Sequence, residues 1–157
     1  MSEAIVPIRR DAAGNVIMLD QTQLPLTEIY HTYQTAEEVA QAIETMIIRG
    51  APAIGVAAAF GLALGARDLS ESGFSEEFGR LCQRMASTRP TAVNLFWAIE
   101  KMKTLVANFH GSHGDKLAAM DAAADAIYRN DIATNRSIGA HGNEVIPRGA
   151  RILTHCN

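Results

Sequence analysis

Apolar and polar positions first alternate over short runs. Ile5 to Arg10 and Val16 to Leu19 predict two short strands, because residues two apart in a strand share a face. Asp11-Ala12-Ala13-Gly14-Asn15 between them is a turn signal, and Leu24-Pro25 closes the region. Ile29 to Tyr33 is a further candidate for a strand or turn.

From Thr35 the period changes to that of a helix. Thr35 and Glu38 form a capping box, and Val39, Ile43, Met46 and Ile47 follow as an apolar stripe. Gly50 is expected just past that helix, with Pro52 in the first turn of the next, which covers about 53–68. This second helix is small and apolar nearly all round, so it is expected in the interior. A third helix is expected after Ser75, with Phe78, Leu81, Cys82 and Met85 as its buried face. Thr91 is expected to cap a fourth, in which Leu95, Ile99, Met102 and Val106 align. A fifth, long helix follows the loop His110 to Gly114; Leu117, Met120, Ala124, Ile127, Tyr128 and Ile132 give its buried face, and Gly139 and Gly142 mark its expected end. Ala150 to Thr154 is a short apolar run of the kind found in buried parallel strands. A strand of that type needs neighbours, so the rest of its sheet is expected from elsewhere.

Composition adds exclusions. With 157 residues, 48% hydrophobic and 20% charged, the chain can build a core and is not a disordered composition. A net charge of −3 without a basic run gives no electrostatic ground for nucleic acid. The uncharged stretch from Gly50 to Ala66, at about 1.5 Å per residue, falls short of a hydrocarbon core of about 30 Å, so no membrane partner is expected. The amino terminus has no signal-peptide pattern. Two cysteines, Cys82 and Cys156, fit a reducing compartment.

Three places could carry chemistry. Arg49-Gly50-Ala51-Pro52-Ala53-Ile54-Gly55 sets an arginine beside a helix start, which is either an anion site or a plain turn with a surface arginine. Arg89 precedes Pro90-Thr91 at another helix start, and is either a held anion ligand or a solvated side chain. Cys156 ends the terminal apolar run, where a thiol is either reactive or structural. Cys82 falls on an apolar stripe and reads as core. His110 and His113 are too few ligands for a zinc site, and no metal or organic cofactor is expected.

The segments RGAPAIG from Arg49, RPTAVNLFWAI from Arg89, LDQTQLP from Leu19 and the terminal ILTHCN resemble, in that chain order, the methylthioribose-1-phosphate isomerases and the related regulatory subunits of the translation initiation exchange factor. The resemblance implies an α+β chain. A small β element and a mainly helical domain would fill 1–146, and 147–157 would be the first strand of an incomplete Rossmann-like domain. It implies an aldose–ketose isomerase acting on 5-methylthioribose 1-phosphate. Arg49, Gly50, Ala51 and Arg89 would bind that substrate, and Cys156 would be catalytic. It further implies a cytoplasmic homodimer, and an aspartate proton donor in a carboxyl-terminal half beyond Asn157, without which the 157-residue chain is expected to be inactive. The alternatives are a non-catalytic binding or assembly module of the same superfamily, or an isomerase of another ribose 1-phosphate derivative, ribose 1,5-bisphosphate or 5-deoxyribose 1-phosphate.

Overall fold

The structure, a computed structural model, describes residues 5–155. Three strands come first: β1 (Ile8–Arg10), β2 (Val16–Leu19) and β3 (Tyr30–Tyr33). They form one antiparallel sheet in the order β1-β2-β3, with Ile8 opposite Met18, Val16 opposite Tyr33 and Leu19 opposite Tyr30. The β1–β2 turn is built by Asp11. Its carboxylate accepts from the backbone N–H groups of Ala13 and Asn15, both at 2.9 Å, and Gly14 takes the left-handed φ of 82° that closes the turn.

Five helices follow: α1 (Ala36–Glu44), α2 (Ala51–Ala66), α3 (Phe74–Ser87), α4 (Val93–Asn108) and α5 (His113–Val145). The Thr35–Glu38 capping box is present in both directions. α2 is the axis of the fold, touching α1, α3, α4, α5 and the two strands β1 and β2. Every residue from Ile54 to Ala66 is buried, which is why this helix needs no polar face. Its Ala and Gly positions let neighbours come close: a Cβ on Gly55 would stand 2.9 Å from the backbone O of Asn94.

Two ion-pair groups tie the layers together. Arg10 pairs with Asp121 at 2.5 Å and Asp125 at 2.9 Å, joining β1 to α5, while its guanidinium lies 5.0 Å from the Phe60 ring centroid. Arg84 of α3 bonds both carboxylates of α1 that face it, Glu37 at 2.7 Å and Glu44 at 2.7 Å. Hydrogen bonding to Arg84 holds both carboxyls below their ordinary 4.5. A carboxylate depressed on folding stabilises the fold above its unfolded pKa, and that contribution is lost as pH falls through the folded value. Arg84→Ala should therefore lower the melting temperature at pH 7, and thermal melts should show the gap closing below pH 4.5. The carboxylates are half-exposed, so water screens the pairs and the gap at pH 7 stays small. A gap that grew in acid would contradict this account.

The helix ends differ from the sequence expectation. α1 stops at Glu44; Met46 takes a left-handed φ of 62°, and Ile47 N–H returns to the Ala42 carbonyl. Met46 and Ile47 thus lie in a loop, and Gly50 (φ 94°) begins α2 instead of ending α1. α2 accordingly runs earlier than 53–68. Ser75 lies inside α3, which Gly73 precedes, and Ala92 rather than Thr91 holds the cap position of α4. α5 passes through Gly139 and Gly142 to Val145. Residues 150–155 are exposed and have no strand pairing, because no described strand lies beside them to accept and donate backbone hydrogen bonds.

Candidate functional site

The turn before α2 presents Arg49 and Gly50 to solvent. Gly50 adopts φ 94°, a conformation that side-chain-bearing residues avoid, and its carbonyl accepts from Ile54 N–H at 2.9 Å. Having no side chain, it leaves the first turn of α2 uncapped. Pro52 carries no N–H, so the first turn offers the N–H groups of Ala51 and Ala53 to an anion. Arg89 lies on the turn that enters α4, where its carbonyl accepts from Ala92 N–H at 3.0 Å. That helix also begins without a side-chain cap. Neither Arg49 nor Arg89 makes an ion pair with any described residue.

The two helix starts meet. A cleft of about 370 Å³ is lined by Pro52 and Gly55 from the first turns of α2, Asn94 and Trp97 from those of α4, and Ile127 and Asp131 from the middle of α5. The close approach at Gly55 draws the two helices together here. Arg49 and Arg89 do not line the cleft; each stands on the turn leading into one of its walls. The geometry thus sets two positive helix ends, each preceded by an arginine, about one apolar opening.

Cys156 lies outside the described residues. Cys82 is buried, and desolvation pushes its thiol up to about 12, which makes it inert at neutral pH. His113 stands edge-on to Phe74 with centroids 5.4 Å apart. Among the described residues no three His, Cys, Asp or Glu gather to hold a metal ion. Asp20, from the LDQTQLP segment, is buried and accepts from the hydroxyl and backbone N–H of Thr22 at 2.6 and 2.9 Å, which lowers its pKa. Its work is to lock the chain after β2.

Sequence reasoning passed over Asn94, Trp97 and Asp131 as parts of a site. One signal was available: Asp131 falls four residues after Ile127, on the stripe that Met120, Ala124 and Ile127 bury, so it places a charge where the pattern calls for an apolar residue.

Residues 47–157 match the Initiation factor 2 subunit family. The chain belongs to that family. A methylthioribose-1-phosphate isomerase of Trichlorobacter lovleyi is 47% identical over all of this chain and 46% of its own length. A 5-deoxyribose 1-phosphate isomerase of Bacillus thuringiensis serovar kurstaki is 43% identical, again over all of this chain and 46% of its own length. Among solved structures, the 5-methylthioribose 1-phosphate isomerase of Pyrococcus horikoshii superposes with a TM-score of 0.89 at 35% identity, over 94% of this chain and 42% of that one. The delta subunit of the translation initiation factor eIF-2B from A. fulgidus superposes at 0.84 with 32% identity, over 98% of this chain and 45% of that one. The chain therefore spans somewhat under half the length of these Initiation factor 2 subunit family relatives. The α+β arrangement of a three-stranded sheet and five helices is similar to the corresponding part of the two solved structures. No helix among the described residues is long and apolar enough to cross a membrane.

Proposed function

We propose that this chain is the amino-terminal part of an aldose–ketose isomerase that converts 5-methylthioribose 1-phosphate to 5-methylthioribulose 1-phosphate. The observation that carries the reading is the meeting of two uncapped helix starts, each entered by an arginine, in a chain whose close relatives bear that name. The phosphate would sit on the N–H groups at the start of α2, with Arg49 and Arg89 as its cationic ligands. Residues 1–146 would be the helical domain, and 147–157 would open a Rossmann-like domain. A cytoplasmic homodimer belongs to the same reading.

The chemistry accounts for the remaining residue. The substrate is a closed furanose whose anomeric oxygen carries the phosphate, so it cannot open to a free aldehyde. The ring C1–O bond must break with a proton delivered to the ring oxygen. Hydrogen must pass from C2 to C1, and the C2 hydroxyl must give up its proton as C2 becomes a carbonyl. Cys156 is our candidate for a group acting at C1 and C2, while an acid for the ring oxygen would come from outside this chain.

Turnover of 5-methylthioribose 1-phosphate tests this. A version extended to the length of the relatives should be active, the 157-residue chain inactive, and Cys156→Ala in the extended version reduced by about 10²–10⁴-fold, the usual worth of a positioned acid or base. Full activity of the alanine variant would remove Cys156 from the mechanism. An inactive extended protein would favour the second reading, a non-catalytic assembly module, which the likeness to the eIF-2B subunit supports.

A further inference from the structure

The LDQTQLP segment, 19–25, lines none of the cleft, yet its backbone reaches the connection that carries Arg49. Residues 45–50 join α1 to α2. The N–H groups of Thr45, Met46, Ile47 and Ile48 turn back to carbonyls of α1. Past Ile48, whose side chain is fully buried, that support ends: neither the Arg49 nor the Gly50 N–H donates to a carbonyl among the described residues. Met46 holds a left-handed φ of 62°, a conformation that persists in a residue with a side chain only where its surroundings impose it. One backbone bond comes from outside. Gln21 N–H donates to the Ile47 carbonyl at 3.0 Å, two residues before Arg49. Asp20 aims that donor. One oxygen of its buried carboxylate accepts from the Thr22 N–H at 2.9 Å and the Thr22 hydroxyl at 2.6 Å, closing a ring that encloses Gln21. Its other oxygen lies 3.4 Å from His31 Nε2, and its N–H donates to the Ile29 carbonyl at 2.8 Å, so the ring is tied to β3 and the residue before it.

We propose that Asp20 is a positioning residue: through the Gln21 N–H it braces the Ile47 carbonyl and so orders the Arg49–Gly50 turn for the substrate phosphate. The assignment rests on the sugar-phosphate reading above and adds to it what holds the binding turn in place. A solvent-facing turn that must order itself around a ligand gives up part of its binding energy in doing so, and a turn ordered beforehand does not. Asp11 supplies the contrast. Its carboxylate closes a similar ring, but it bonds only Ala13 and Asn15 and has no link to the connection between α1 and α2.

Backbone amide resonances of the chain are compared in the parent, Asp20→Ala, Asp20→Asn and Asp11→Ala. Asp20→Ala should move the Arg49 and Gly50 signals and speed exchange of the Gln21 amide. Asp20→Asn, whose side-chain oxygen can still accept from Thr22, should keep all three near the parent, and Asp11→Ala should leave them unmoved. In the version extended to the length of the relatives, Asp20→Ala should raise KM for 5-methylthioribose 1-phosphate about tenfold with kcat changed by less than about threefold, the pattern of a weakened binding contact. Asp20→Asn should restore most of that loss, and Asp11→Ala should change neither constant. Arg49 and Gly50 signals that move alike in both alanine variants, or in neither, would overturn the brace. So would a Gln21 amide that exchanges in the parent as fast as an unbonded one, a result that stands even where Asp20→Ala fails to fold. Moved signals with an unchanged KM would overturn the link to the phosphate. An inactive extended parent would overturn the sugar-phosphate reading, and the amide signals would then decide the brace by themselves.

Discussion

Gly55→Ala is expected to destabilise the chain by about 1–3 kcal/mol, the range for forcing extra atoms into a packed interior. The added Cβ would lie 2.9 Å from the backbone O and 3.4 Å from the Cβ of Asn94. A backbone carbonyl in the first turn of a helix cannot rotate aside as a side-chain tip can. The relief available is to move α4 away from α2, which would widen the cleft between them. Gly79→Ala is the control. Gly79 lies within α3 with nothing within 4 Å of an added Cβ, so alanine there should stabilise by up to about 1 kcal/mol through helix propensity. Urea midpoints of the two variants should therefore move in opposite directions. If Gly55→Ala matched Gly79→Ala, the close approach would not be a constraint on the fold.

Phe60→Ala carries the larger expected loss, about 3–5 kcal/mol. The ring is fully buried in α2, with the Tyr128 ring centroid at 5.5 Å and the Arg10 guanidinium at 5.0 Å. Removal leaves a cavity at the centre of the bundle, and it deprives Arg10 of the aromatic face on which it rests while pairing with Asp121 and Asp125. Domains of this kind are held by about 5–15 kcal/mol, so the variant should be partly unfolded at a temperature where the parent is intact. Phe60→Leu, which keeps most of the volume, should recover the larger share. A loss below about 1.5 kcal/mol for the alanine variant would mean that the bundle collapses around the gap.

The capping box at Thr35, the Asp11 turn, the first-turn Pro52 and the interior position of α2 were all legible in the sequence, because each is a local pattern with a local cause. What was misread depends on something the pattern does not contain. Met46 and Ile47 continue an apolar period after the helical hydrogen bonding has stopped; apolar spacing reports which side chains are buried, not which backbone groups are paired. Gly139 and Gly142 looked like terminators, yet in a solvent-facing helix a glycine is tolerated at modest cost. Ala150 to Thr154 has the composition of a strand, but a strand needs a partner, and none of the described strands lies beside it. The candidate site could be proposed from the sequence only through its local motifs. Arg49, Gly50 and Arg89 sit on turns with distinctive residues, and Ala51 opens α2. The cleft between those turns joins Gly55, Asn94 and Asp131, residues far apart in sequence that only packing brings together.

α5 is two objects in one piece of secondary structure. Up to Tyr128 it is anchored by Met120, Ala124 and Ile127 and by the acids that Arg10 holds; from about residue 133 onward nearly every side chain faces water. Its amino-terminal turns share the fate of the whole bundle. The distal turns have their own hydrogen bonds and little else, and isolated helices of that length are marginal in water. Amide exchange along this one helix should thus form a gradient, slow at the anchored end and fast at the other, with the distal stretch unwinding and rewinding while the domain stays folded.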